Sequence, residues 1–238
     1  MLSKSKVRTT ALALTLLSAG CSRLLPWRNE PVANEVNLAF RLERNLIELQ
    51  SVRIDNRPGR FILGTATLRT VVDSRFPLAP LRHWLHLSER DTLRLSPTRL
   101  DLGGTADAII GAETWRRHAI TIDYRGGLVT YQKQGIRTGL MTVYRFEAEP
   151  MIYVTVDGRQ IAAIVDTSSP DTLTLPAASR SRGNVRVSVA GTDFGSIDVQ
   201  YANVPQARIG NRLLSRFLVS IDYGARLVGV WRDPRIAA

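Results

Sequence analysis

Two loops hold the residues of this sequence best suited to acid–base chemistry, and they are not alike. Val165-Asp166-Thr167-Ser168 puts a carboxylate and two hydroxyls at the end of an apolar run. Leu63-Gly64-Thr65-Ala66 repeats the placement earlier in the chain, with glycine where the acid would stand. Two carboxylates held close cannot both ionise, so they share one proton. The ionised member then takes a proton from water while the protonated member delivers one to the reacting group. A single solvated carboxylate near its ordinary pKa of about 4 is a weak base with no proton to give at neutral pH. The two loops hold one carboxylate between them.

The segments that must position these loops occur twice. Val52 to Leu63 reads as strand, turn and strand leading to Gly64. Val154 to Val165 reads the same way, leading to Asp166. Asp55-Asn56 and Asp157-Gly158 are the matching turns, and Asp-Gly is a strong hairpin former. A second shared block follows in each copy. Ala108-Ile109-Ile110-Gly111 leads through a short helical stretch to Ile122-Asp123-Tyr124, and Ala207-Arg208-Ile209-Gly210 leads likewise to Ile221-Asp222-Tyr223. Each Asp-Tyr enters a glycine turn and a last strand, Leu128–Tyr131 or Leu227–Trp231. Two blocks in one order define a tandem repeat from about Leu46 to Asp233. Asn37 to Leu49, ahead of it, alternates apolar and charged residues and reads as a first strand or a short helix.

This plan resembles the aspartic-protease family of retropepsins and pepsins. There a hydrophobic strand feeds an Asp-Thr-Gly loop, and a hydrophobic-hydrophobic-Gly motif supports it. The resemblance places Asp166 on a catalytic aspartate and Thr167 on its threonine, with Ser168 replacing the usual glycine. It places Gly64 where the other aspartate belongs, followed by Thr65 and Ala66. Ile109-Ile110-Gly111 and Arg208-Ile209-Gly210 fall on the supporting motifs, with Arg208 an imperfect match. It also implies that Thr65 and Thr167 bond across the two loops and lock the lobes together. Ser168 and Ala66, lacking the freedom of glycine, imply slight strain or a different loop shape.

The fold expected from the resemblance is mainly β. Two tandem aspartic-protease-like lobes pack as one bilobal unit, each with one short helix, spanning residues 36–136 and 137–238. With Gly64 opposite Asp166, it implies an impaired peptidase that keeps its cleft and binds or scaffolds a peptide or protein segment there. The alternative is an active endopeptidase using Asp166, completed by dimerisation or by another acid such as Asp73 or Asp171.

The N-terminus has a different character. Lys4, Lys6 and Arg8 precede a short apolar run ending in Leu17-Ser18-Ala19-Gly20-Cys21. The run is too short for a mature membrane span and reads as a secretory signal over residues 1–20. The Leu-Ser-Ala-Gly-Cys segment resembles a bacterial lipobox, which implies lipidation at Cys21. Residues 21–35, with Pro26 and Pro31, then read as a tether. Ser22 after the cysteine implies the outer membrane, facing the periplasm. Cys21 is the sole cysteine, so the chain can form no internal disulfide.

The formal charge is +11, nearly all from arginine, since Lys133 is the one lysine outside the signal. Such a balance reads either as a solvated arginine-rich surface or as attraction to an anionic envelope component such as lipid headgroups or polysaccharide. No basic run with interleaved aromatics is present, so nucleic acid is not expected. His83-Trp84-Leu85-His86 has two imidazoles at a helical spacing but no third ligand motif, and neither a metal nor an organic cofactor is expected. His118 reads as a packing or surface residue. Pro97 to Gly104 and Gly191 to Gly195 lie where the family carries flap hairpins, and equally read as ordinary surface hairpins.

Overall fold

The computed structural model describes residues 35–116, 118–132, 135–179 and 181–233. The expected signal, Cys21 and nearly all of the tether lie outside them. Among the described residues the chain is mainly β. The first half holds β1 (Glu35–Glu43), β2 (Leu46–Leu49), β3 (Arg53–Ile54), β4 (Phe61–Leu63), β5 (Val71–Asp73), β6 (His83–His86), β7 (Thr92–Leu95), β8 (Thr98–Leu100), β9 (Ala108–Ile110), β10 (Ala119–Asp123) and β11 (Leu128–Gln132). The second half holds β12 (Thr142–Arg145), β13 (Met151–Val156), β14 (Arg159–Val165), β15 (Leu173–Pro176), β16 (Ser181–Val189), β17 (Thr192–Ala202), β18 (Ala207–Ile209), β19 (Leu218–Asp222) and β20 (Leu227–Trp231). The short helices shrink to a 3-10 turn at Ala112–Thr114 and one α-helical turn at Asn211–Leu214. Asn37 to Leu49 is a β-hairpin, with Arg44 and Asn45 both at positive φ in its turn.

The repeated sequence folds into repeated pairings. β4 runs parallel to β9 with Ile62 opposite Ile109, and β14 runs parallel to β18 with Ile164 opposite Arg208. β5 runs antiparallel to β9 and parallel to β8; β15 does the same with β18 and β17. In the second half β13-β14-β18-β15-β17-β16 close into a six-stranded barrel. The first half has the same neighbours in two pieces: β2-β4-β9-β5-β8 belongs to the large sheet, while β3-β6-β7 stands as a three-stranded sheet. Two local breaks account for the split. Ser96-Pro97 separates β7 from β8, and proline cannot donate to a ladder. Ser51, at φ 62, turns the chain between β2 and β3.

β10 and β19 join the halves, with Thr121 opposite Ser220. These residues occupy equivalent positions in the two copies, and their hydroxyls lie 2.8 Å apart. Equivalent residues can face each other only across a local two-fold axis. Around this join one apolar core runs through both halves, from Ile47, Phe61 and Trp115 to Ile152, Leu214 and Val228. Burial of such side chains, at roughly 25 cal/mol per Å² of apolar surface, supplies the main force holding the halves together.

The turn signals behave as their residue types dictate. Asp55 and Asn56 both have positive φ, as do Asp157 and Gly158. That is the two-residue hairpin geometry that Asn, Asp and Gly adopt at least cost. The hairpin tip between β6 and β7 lies at Ser88 to Asp91, where Asp91 Oδ2 accepts from Ser88 Oγ at 2.8 Å. Pro97 to Gly104 is therefore not the first-half hairpin. Gly191, by contrast, sits in the tight turn between β16 and β17.

Candidate functional site

The loops 64–67 and 166–169 meet at the join, and their threonines are mutually bonded. Thr65 N–H donates to Thr167 Oγ1 at 3.0 Å, and Thr167 N–H donates to Thr65 Oγ1 at 3.1 Å. Each hydroxyl passes its own proton on: Thr65 Oγ1 to the Val165 carbonyl at 2.5 Å, Thr167 Oγ1 to the Leu63 carbonyl at 2.6 Å. Both residues are fully buried. A hydroxyl is one of the few small groups that can accept and donate at once, which is why threonine serves in both copies.

Two tyrosines brace these loops from the opposite halves. Tyr223, on the second-half Asp-Tyr, donates to the Thr65 carbonyl at 3.0 Å. Tyr124, on the first-half Asp-Tyr, donates to Asn211 Oδ1 at 2.8 Å, and Asn211 Nδ2 donates to the Thr167 carbonyl at 2.6 Å and the Asn45 carbonyl at 2.7 Å. Burial pushes both phenols above their ordinary range, so they remain donors.

The supporting glycines are there for space. Gly111 and Gly210 have extended φ, but a Cβ on Gly111 would lie 2.4 Å from the Arg69 carbonyl carbon. One on Gly210 would lie 2.4 Å from the Asp171 carbonyl oxygen. Ile110 and Ile209 are buried beside them and take the backbone N–H of Gly64 (2.9 Å) and Asp166 (3.0 Å) on their carbonyls. Neither Ala66 nor Ser168 has a positive φ, so the loops carry no strain of the kind glycine relieves.

Asp166 is 4% exposed, and both its oxygens are engaged. Oδ1 accepts from Ser168 N–H at 3.0 Å and Ser168 Oγ at 2.6 Å. Oδ2 accepts from Arg208 Nη1 at 2.7 Å, a charge-assisted contact. Asp73 and Asp171 are committed elsewhere. Asp73 accepts from Arg75 and Leu102, and Asp171 from Gln200. The partner of Asp166 is a guanidinium, which can neither take nor give a proton at any ordinary pH.

Position 64 is closed as well. A Cβ on Gly64 would lie 2.5 Å from Ile109 Cγ2 and 2.8 Å from Thr67 Oγ1. Ile109 and Arg208 occupy the same place in their copies, each opposite the isoleucine two residues before its loop position. The copies thus carry two matched pairs: glycine under isoleucine, and aspartate against arginine.

The sequence places Ile109 and Arg208 in the supporting motifs but does not show what each faces, and it gives Asn211, Tyr124 and Tyr223 no place at the site. Arg208 carries the clearest signal, a charge inside an otherwise apolar strand of the copy that holds the acid. His83 and His86 lie on strand β6, where residues three apart face opposite ways. His83 Nδ1 pairs with Asp55 at 3.0 Å, and His118 Nδ1 meets the Tyr131 hydroxyl at 2.5 Å. Among the described residues no group of three or more His, Cys, Asp or Glu could hold a metal ion, and no helix is long and apolar enough to cross a membrane. No protein-family model matches the chain, and no curated protein matches it either.

Proposed function

We propose that the chain is an envelope lipoprotein, anchored through Cys21 in the outer membrane and built on a two-lobed aspartic-protease-like fold. In this reading the fold has lost its chemistry and serves to bind or scaffold a peptide or protein segment between the lobes. The single observation that carries the loss of chemistry is the contact of Asp166 with Arg208. The family reaction needs a second group that exchanges a proton with the first. Arginine supplies charge and hydrogen bonds instead. The crowding at Gly64 supports the same reading, because a side chain there would have to displace Ile109 or Thr67. The intact threonine contacts support a retained frame, since they fix the two loops against each other without taking part in cleavage.

The binding half of the proposal is tested with immobilised full chain and a display library of extended peptides. Enrichment of a peptide class whose capture falls at least about tenfold in Arg208→Ala supports binding at the loops. Enrichment that is indifferent to Arg208 and Ser168 together overturns it. Recovery of hydrolysed peptides that depends on Asp166 favours the active endopeptidase instead.

A further inference from the structure

The three-stranded sheet β3-β6-β7 presents an outer face that neither the site nor the core uses. Cross-strand register fixes its membership: Arg53 lies opposite His86, His86 opposite Thr92, and Trp84 opposite Arg94. The other face holds Ile54, Leu85 and Leu93, with Leu95 beside them, turned toward the core. Strand alternation therefore gathers two arginines, a histidine, a threonine and a tryptophan on one side. Arg53, Thr92 and Arg94 are exposed, and Trp84 remains 39% exposed although its indole is the largest apolar group there.

Among the described residues paired in this sheet, no carboxylate lies on that face. Asp55, next to β3, is 6% exposed in its side chain and is used internally, accepting from His83, from Ala79 N–H and from Trp84 N–H. Glu89, Arg90 and Asp91 are confined to the hairpin tip beyond the paired residues, and Asp91 is turned onto Ser88. Leu81, two residues ahead of β6, is 92% exposed and is followed by exposed Arg82.

We infer that this face docks on an anionic lipid surface. Arginines without local counter-charges attract lipid phosphates, and an indole beside them suits the boundary between headgroup and acyl chain, where tryptophan concentrates. Leu81, exposed two residues ahead of β6, is apolar surface that a soluble polyanion would not reward. The inference rests on the lipid-anchor reading only for proximity: a tether of 14 residues (22–35) reaches at most about 50 Å, which holds the chain close to the bilayer.

The test uses the full chain labelled with 5-fluorotryptophan and loaded into lipid nanodiscs through its own N-terminus. The discs contain either phosphatidylcholine alone or phosphatidylcholine with phosphatidylglycerol, plus a gadolinium-chelate lipid. Loading of the discs reports the anchor, and fluorine relaxation at Trp84 reports docking, so the two readings fail separately. Docking predicts relaxation of Trp84 enhanced about threefold or more in the anionic discs over the neutral ones, with buried Trp115 unaffected. It predicts loss of that enhancement in Arg53→Glu/Arg94→Glu, whose Trp115 signal keeps its shift and so reports an intact fold. Equal enhancement in both discs, or enhancement that survives the double reversal, overturns the inference. A Trp84 response to heparin but not to anionic discs overturns it in favour of a soluble polyanion.

Discussion

Arg208 Nη1 lies 2.7 Å from Asp166 Oδ2, and at the equivalent place in the other copy Ile109 packs onto Gly64. Each pair is matched within itself. An acid at position 64 would meet a β-branched side chain, and an isoleucine at position 208 would leave a buried carboxylate without its counter-ion. The bare glycine in one copy and the paired carboxylate in the other thus each match the residue that faces them from the neighbouring strand.

Arg208→Ile should destabilise the fold. The carboxylate it leaves behind is nearly buried, although the arginine itself is 30% exposed in its side chain. The expected cost is about 2 kcal/mol, below that of a fully buried pair because solvent screens part of the interaction. The double variant Asp166→Gly/Arg208→Ile copies the first-half pair and should cost less than the sum of its single changes. A double-mutant cycle by urea denaturation checks this, with a coupling of about 1–2 kcal/mol expected.

Gly64→Ala should cost about 1–3 kcal/mol, because its Cβ overlaps Ile109 Cγ2. Ile109→Ala in the same chain should recover part of that loss. Gly64→Asp should be tolerated no better than Gly64→Ala unless Ile109 is also reduced. Thermal midpoints of the four variants measure the effect.

Thr65→Val and Thr167→Val each delete a hydroxyl that donates once and accepts once in a fully buried place. Each should cost about 2–4 kcal/mol, since the orphaned N–H and carbonyl lose their partners. Serine at either position should restore most of the stability. Hydrogen exchange of the Thr65 and Thr167 amides should quicken in both valine variants, wherever the substitution lies, because the contacts are reciprocal.

Acid should weaken the first half through Asp73. Hydrogen bonds from the Arg75 side chain and backbone, and from Leu102 N–H, hold its carboxyl well below the ordinary range. A lowered folded-state pKa gives stability that is present above the unfolded value of about 4 and is lost as pH falls further. Urea midpoints should therefore drop below about pH 4, and Asp73→Asn should flatten that part of the profile. An unchanged slope in Asp73→Asn would assign the acid sensitivity to other carboxylates.

Much of the frame is legible in the sequence because its causes are local. Asp157-Gly158 writes its own turn, and the Ile-Gly pairs mark where backbone must approach backbone. The Asp-Tyr pairs align the copies, yet nothing in their spacing says that each tyrosine braces the loop of the other half. That follows only from the pairing of β10 with β19. The opened first-half barrel is likewise hard to read, because Pro97 and Ser51 interrupt strands whose apolar pattern continues past them. Arg208 reads as a flaw in a motif until the register sets it against Asp166.

With Arg208 as its partner, Asp166 should perform no proteolysis. The most direct measurement is digestion of a peptide library by the purified full chain from about pH 3 to about pH 8, read by mass spectrometry beside Asp166→Asn. The account predicts identical peptide profiles for the two proteins at every pH. New termini made by the native chain, absent with Asp166→Asn and suppressed by a statine-type inhibitor, would contradict it.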